Sequence, residues 1–217
     1  MSDYAARRVT MVDTQVRPSD VTKFPIIAAM LAVPREVYVP RDRRESAYVG
    51  ENVDIGSGRV MLEARTFAKM LDALDILKTE IVLDLGCGLG YSTAVIARLA
   101  EAVVAVEEDE ALAAEAQRSF SVEGVDNAAI VVGPIAAGDA KHGPYDVIMV
   151  QGGVEVIPPA LLAQLKDGGR IGAVFMEGAL GVVRVGHKAD GRVTWRFAFN
   201  ATAPVLPGFA AVPAFML

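Results

Sequence analysis

The stretch Ile81-Val-Leu-Asp-Leu-Gly-Cys-Gly-Leu-Gly-Tyr91 constrains the fold of this chain more than any other segment. An apolar run ends in Asp84, three glycines alternate at Gly86, Gly88 and Gly90, and a helical pattern follows at once from Ser92 to Ala100. That order predicts a buried parallel strand, a tight turn and a helix start. Glycines in such a turn adopt φ values closed to other residues and let the backbone come close to a ligand at the helix N-terminus.

The spacing separates two ligand classes. Dinucleotide-binding turns use G-x-G-x-x-G, with the last glycine packing helix against strand. Here the spacing is G-x-G-x-G, Tyr91 stands where that last glycine is needed, and Asp84 has no place in the dinucleotide pattern. Asp84-Leu-Gly-Cys-Gly-Leu-Gly90 resembles instead the first motif of class I methyltransferases, which bind S-adenosyl-L-methionine and release S-adenosyl-L-homocysteine. The resemblance implies a cofactor site at Asp84, Gly86, Cys87, Gly88, Gly90 and Tyr91. The next strand, Ala102–Val106, ends in Glu107-Glu108-Asp109. Glu107 lies about twenty residues past the turn, where a carboxylate can accept hydrogen bonds from two ribose hydroxyls. The resemblance gives Glu107 that role. Glu108 is open between a cofactor contact and an acidic helix start, the reading that fits Asp109 and Glu110 through the helix dipole.

Composition narrows the function classes. At 217 residues the chain can bury one good core. A hydrophobic fraction of 53% and mean hydropathy of +0.36 predict a well-packed globular protein. The net charge of −6, without a long lysine or arginine run, argues against a protein that grips nucleic acid through phosphates. Arg41, Arg43 and Arg44 read as a solvated loop. The single cysteine, Cys87, excludes an internal disulfide framework and a cysteine-rich metal site. His142 and His187 have no partner at metal-ligand spacing, so no metal is expected. An apolar signal core and an 18-residue apolar span are both missing, and the uncharged tail from Asn200 is broken by Pro204, Pro207 and Pro213. A cytoplasmic protein that does not enter a membrane is the expectation, with the tail packed on its own sheet.

Strand and helix signals alternate through most of the chain. Ser19-Asp-Val-Thr predicts a helix start with Ser19 as N-cap; Phe24, Ile27, Ala28 and Leu31 share one face, and the helix ends before Pro34. Pro34–Pro40 reads as extended chain and Gly50–Gly58 as a loop. A helix from Arg65 carries Phe67, Met70, Leu71 and Leu74 on one face. Strands are predicted at 80–85, 102–107, 128–132, 145–150 and 171–176. Helices are predicted at 91–100 and 109–120, with a short one from Pro158 to Leu165 closed by Lys166-Asp-Gly-Gly169. Leu180–Lys188 and Arg192–Phe199 form a hairpin around Ala189-Asp-Gly191, with Trp195 and the nearby phenylalanines as core. The expected fold is α/β and Rossmann-like, of the class I methyltransferase type. It has a seven-stranded mostly parallel sheet with helices on both faces, an antiparallel C-terminal hairpin and an N-terminal helical extension.

The resemblance reaches further than the cofactor turn. Met11-Val-Asp-Thr-Gln-Val-Arg17, Ala29-Met-Leu-Ala-Val-Pro-Arg-Glu-Val-Tyr-Val-Pro40, Ala47-Tyr48 and Val53-Asp-Ile-Gly-Ser-Gly58 precede it in order. With Val156-Ile-Pro-Pro-Ala-Leu-Leu-Ala-Gln-Leu-Lys-Asp-Gly-Gly-Arg170, they resemble protein-L-isoaspartate O-methyltransferases over about residues 10 to 175. The resemblance implies an extension at 1–60 that serves the substrate side and a cofactor-binding domain at 61–217. It also implies methylation of an L-isoaspartyl carboxylate in protein repair. Such chemistry needs no general base, since the sulfonium methyl is activated and the carboxylate is already ionised; alignment and exclusion of water do the rest.

Three positions depart from that family. Its usual Ser-Gln-Pro, whose serine sits beside the transferred methyl, is Leu62-Glu63-Ala64 here. No catalytic residue carries over, and Arg59, Glu63 and Arg65 are the polar candidates for a substrate contact. The family's Gly-Asp-Gly after the third strand is Gly133-Pro134-Ile135, and small residues after the fourth are replaced by Gln151-Gly152-Gly153. Gln151 either contacts the cofactor end or caps the loop. Two alternatives to isoaspartyl repair follow: the same fold acting on another substrate such as a small-molecule carboxylate, or a non-catalytic cofactor-binding or regulatory relative.

Overall fold

A computed structural model describes residues 3–211. Helix α1 (Tyr4–Met11) opens under an Asp3 cap, whose carboxylate accepts the Ala6 amide at 3.0 Å. A wider turn at Val12–Val16 and a tighter one at Arg17–Ser19 prolong it. Ser19 therefore closes this run instead of capping the next: its hydroxyl donates to the Gln15 carbonyl at 2.8 Å. Helix α2 (Phe24–Ala32) starts after Lys23 with Pro25 in its first turn, where the missing N–H costs nothing. It buries Ile26, Ile27, Ala29 and Met30, and leaves Phe24 80% exposed. An almost wholly apolar helix offers no polar face to fix its orientation from sequence, so the expected face was rotated.

Two expectations ahead of the sheet are corrected. Arg35–Tyr38 forms a 3₁₀ turn, not extended chain, because both the Arg35 and Tyr38 side chains turn inward and are buried. Gly50–Gly58 contains a strand, β1 (Val53–Gly56), which pairs antiparallel with β2 (Arg59–Met61). Ser57 and Gly58 supply the two positive φ values, 53° and 69°, that a two-residue hairpin turn requires.

Helix α3 (Ala64–Leu74) buries Phe67, Met70, Leu71 and Leu74. Then follow β3 (Ile81–Leu85), α4 (Tyr91–Ala97), β4 (Ala102–Glu107), α5 (Glu110–Glu123), β5 (Ala128–Val132), β6 (Tyr145–Val154), α6 (Pro159–Ala163), β7 (Leu165–Glu177), β8 (Leu180–Ala189) and β9 (Arg192–Asn200). The seven-stranded sheet has the order β5-β4-β3-β6-β7-β8-β9. Its first five strands are parallel, and β8 runs antiparallel to both of its neighbours. Strand β7 begins earlier than expected, at Leu165 opposite Tyr145, and Lys166–Gly169 bulges out of the ladder before pairing resumes at Arg170 opposite Val147.

Alternation along the strands sends side chains to two cores. Val82, Val147 and Met149 face the N-terminal helices and α3, while Leu83, Leu85, Ile148 and Val150 face Leu161 and Ile157. In β9 the register slips between Phe199↔Val183 and Phe197↔Arg184. That bulge changes which face the side chains meet. Trp195 is half-buried against Phe175, Phe199 is buried in the opposite core, and Phe197 at the bulge is 66% exposed instead of core.

After β9 the chain returns across the end of β6. Gly153 donates to Pro204 at 2.7 Å, Leu206 donates to Gly153 at 2.9 Å, and Glu155 and Val156 both donate to Phe209, at 2.9 and 3.0 Å. Leu206 and Phe209 are buried in the core that holds Leu83 and Ile148. The tail up to Ala211 thus packs on its own sheet, and Pro213 lies outside the described residues.

Candidate active site

In an open parallel sheet, ligands bind where neighbouring crossovers leave in opposite directions. Here that point lies between β3 and β6, and the glycine turn sits on it. Asp84, the last residue but one of β3, is fully buried. Its Oδ2 accepts the Ser92 and Thr93 hydroxyls, each at 2.6 Å, and its Oδ1 accepts the Gln151 amide at 2.7 Å. Burial pushes this carboxyl up, against the pull of those three donors. Asp84 and Gln151 thereby tie the turn to α4 and to the end of β6.

The turn amides are also spent within the chain. Gly86 donates to Val106 at 2.8 Å, Gly88 to the Glu107 carboxylate at 2.8 Å, and Gly90 to Cys87 at 2.9 Å. Gly90 has φ +95°, and a Cβ there would stand 2.6 Å from the Phe120 ring, so this glycine lets α4 and α5 pack. Cys87 is buried, and burial pushes its thiol well up; such a thiol is a poor nucleophile. Tyr91 points inward between Arg35, Tyr38 and Phe67.

Glu107 is fully buried and accepts four donors: Arg59 Nη1 and the Gly88 amide, both at 2.8 Å, and the Glu108 and Asp109 amides at 3.0 and 3.2 Å. Arg59, considered above for a substrate, instead reaches the glycine turn; its Nη2 donates to the Gly86 carbonyl at 2.7 Å. Glu108 is exposed. Asp109 caps α5 through the Ala111 and Leu112 amides and accepts the Ser57 hydroxyl at 2.7 Å, which holds its carboxyl below the usual range.

The structure sets Arg59 apart from Glu63 and Arg65, whose side chains approach each other to 3.8 Å. Glu63 accepts the Thr66 hydroxyl at the start of α3, and Arg65 lies half-exposed over the Phe199 ring. Leu62 is buried and lines a cavity of about 20 Å³ with Tyr38, Ile55, Phe67, Cys87 and Tyr91. Its backbone carbonyl accepts Arg35 Nη2 at 2.6 Å, and Arg35 Nε donates to Ala47 at 2.6 Å. Sequence reasoning missed Arg35 as a buried cation that pins these two loops; burial lowers its pKa. It also missed Leu206, which reaches the same turn from the far end of the chain. No cluster of three or more His, Cys, Asp or Glu able to hold a metal exists among the described residues. No helix among them is long and apolar enough to cross a membrane.

Residues 8–198 match the family described as Protein-L-isoaspartate(D-aspartate) O-methyltransferase (PCMT). The chain belongs to this family. A protein-L-isoaspartate O-methyltransferase of Syntrophus aciditrophicus is 37% identical over 171 residues, covering 79% of this chain and 78% of that one. One from Koribacter versatilis is 32% identical over 193 residues, covering 89% and 87%. Among solved structures, a protein-L-isoaspartate O-methyltransferase superposes with a TM-score of 0.81 at 24% identity, over 93% of this chain and 66% of that chain. A putative one from Plasmodium falciparum, in complex with S-adenosyl-L-homocysteine, superposes with a TM-score of 0.79 at 18% identity, over 95% and 99%. At those identities the superpositions speak for the fold, which is that of a Rossmann-like class I methyltransferase. The relatives are S-adenosylmethionine-dependent O-methyltransferases, and family membership makes this chain an enzyme of that class.

The cofactor of the family sets a test that the site meets in its chemistry and fails in its space. A buried carboxylate at the end of β4 and a glycine turn at the switch point are the right donor set. Yet Arg59 crowds Glu107 Oε1 beside the Glu108 and Asp109 amides, leaving a free position only on Oε2, which accepts the Gly88 amide alone, and a Cβ built on Gly86 would stand 2.7 Å from Arg59 Nη2 and 3.2 Å from Leu206. The cavity of about 20 Å³ beside the turn holds about one water molecule. In this arrangement the cofactor does not fit.

Proposed function

We propose that this chain is a methyltransferase of protein repair that acts on carboxylates created by damage to aspartyl and asparaginyl residues, the L-isoaspartyl carboxylate first among them. The match to the family over residues 8–198 carries this reading. The Asp84–Gly90 turn and Glu107 stand beside it as the site where the donor binds once the groove opens. A carboxylate is already ionised at neutral pH, so the chain need not supply a base. Its own contribution is position and dryness: Arg35 fixes the Leu62 loop, and Leu62, Tyr38 and Phe67 wall the site with apolar surface. Damaged protein or peptide is the substrate, a small-molecule carboxylate the alternative, nucleic acid is disfavoured by the acidic balance, and the cytoplasm is the place of work.

Leu62, where the family has a serine, favours a second reading: a relative that keeps the fold and acts on another substrate or on none. The test is transfer of label from S-adenosylmethionine to a peptide with one L-isoaspartate, against the same peptide with aspartate. Base-labile label on the first peptide alone supports repair. Label on neither, with S-adenosylhomocysteine bound in the same sample, overturns it.

A further inference from the structure

Two pieces of chain, far apart in sequence, converge on Gly86. Arg59, only 3% exposed, comes from the β1–β2 hairpin and holds both the Glu107 carboxylate and the Gly86 carbonyl. Leu206 comes from the segment after β9 and lies against both Gly86 and Gly152; a Cβ on Gly152 would stand 2.6 Å from it. Backbone hydrogen bonds at Gly153, Glu155 and Val156 anchor that segment, and Phe209 seals it into the core. Ligand-facing glycines are here covered by the protein's own side chains. Glu107, the carboxylate that would receive ribose hydroxyls, is neutralised by a guanidinium.

We propose that Arg59 and residues 203–209 form an internal plug in the cofactor groove, and that a nucleoside ligand enters only when both withdraw. This rests on the reading of the groove as a donor site given above. The exchange at Glu107 does not leave the carboxylate bare. Its three backbone donors stay, one ribose hydroxyl takes the place of the guanidinium on Oε1, and Oε2, which accepts only the Gly88 amide, has room for a second. The exchange at Gly86 and Gly152 is one of volume, with Leu206 leaving the space that ligand atoms take. A ligand that binds only the open form has its apparent affinity reduced by the fraction of molecules that are open. The plug thus sets the affinity, and whatever draws away residues 203–209 raises it.

Calorimetric titration of the full chain with S-adenosylhomocysteine tests this on the wild type, Arg59→Gln, Leu206→Ala and the double variant. Each single variant is expected to bind at least about tenfold tighter than wild type and the double tighter still, while the ligand-free melting temperature of each falls. A residue that merely supported the fold would lower both affinity and stability. Arg59→Gln keeps the test open if Leu206→Ala does not fold. Wild-type binding as tight as that of the variants overturns the plug and leaves the donor-site reading standing. Absence of binding in wild type and in folded variants alike overturns both.

Discussion

Replacing Arg59 with methionine removes the cation from a carboxylate that is fully buried. Breaking a buried ion pair from one side costs about 3–5 kcal/mol, because the remaining charge stays in a poor solvent. Glu107 keeps the Gly88, Glu108 and Asp109 amides, so the loss falls at the low end, about 3 kcal/mol. For a chain of this size that lowers the melting temperature by about 6–12 °C. Glu107→Gln strands the guanidinium on the Gly86 carbonyl and costs a similar amount. The double variant Arg59→Met/Glu107→Gln leaves no unpaired charge, so its loss falls short of the sum of the singles by about 2 kcal/mol or more. Urea unfolding at pH 7, followed by circular dichroism, measures all four proteins. Strict additivity, or a loss below about 1 kcal/mol for Arg59→Met, would refute the view that this pair is coupled and buried.

Three further outcomes follow from contacts elsewhere. Burial alone would raise the Asp146 carboxyl, but the Ile81 amide, Lys166 and Arg170 outweigh it and hold it below its ordinary value. A carboxyl with a lowered folded pKa contributes stability above its unfolded value near about 4 and loses it as pH falls through the folded one; Asp146→Asn should flatten the fall in unfolding free energy between pH 6 and 3. The buried Cys87 thiol should react with a disulfide reagent at pH 8 roughly a hundredfold or more slowly in the native protein than in urea, and equal rates would place it at the surface. Gly90→Ala puts a Cβ against Phe120 at a φ of +95° and should cost at least about 2 kcal/mol in urea unfolding; a neutral substitution would show that α4 and α5 are not closely packed there.

What the sequence disclosed, and what it hid, divides by the range of the interactions. Ile81–Leu85 and Ala102–Glu107 were legible because a buried parallel strand is a run of apolar residues ended by a glycine turn or an acid. Gly86, Gly88 and Glu107, which the fold brings together at the switch point, belong to that local grammar and are legible in the sequence as candidates. Arg59 meets Glu107 across 48 residues through a hairpin of four- and three-residue strands, too short for alternation to mark. Leu206 and Phe209 lie in a proline-broken stretch with no period at all, and are held by backbone bonds to β6. The face of α2 and the bulge in β9 were hidden for a related reason: each depends on which neighbour covers the element, and local composition does not record it.

The groove occupied by its own chain is tested most directly by hydrogen exchange at residues 203–209. The Leu206 amide, bonded to Gly153, and the Phe209 amide, bonded to Leu206, should be protected in the free protein. At S-adenosylhomocysteine concentrations shown by calorimetry to saturate the protein, that protection should be lost while the amides of β3 and β4 stay protected. Protection of residues 203–209 that is unchanged or greater with the ligand bound would contradict the plug.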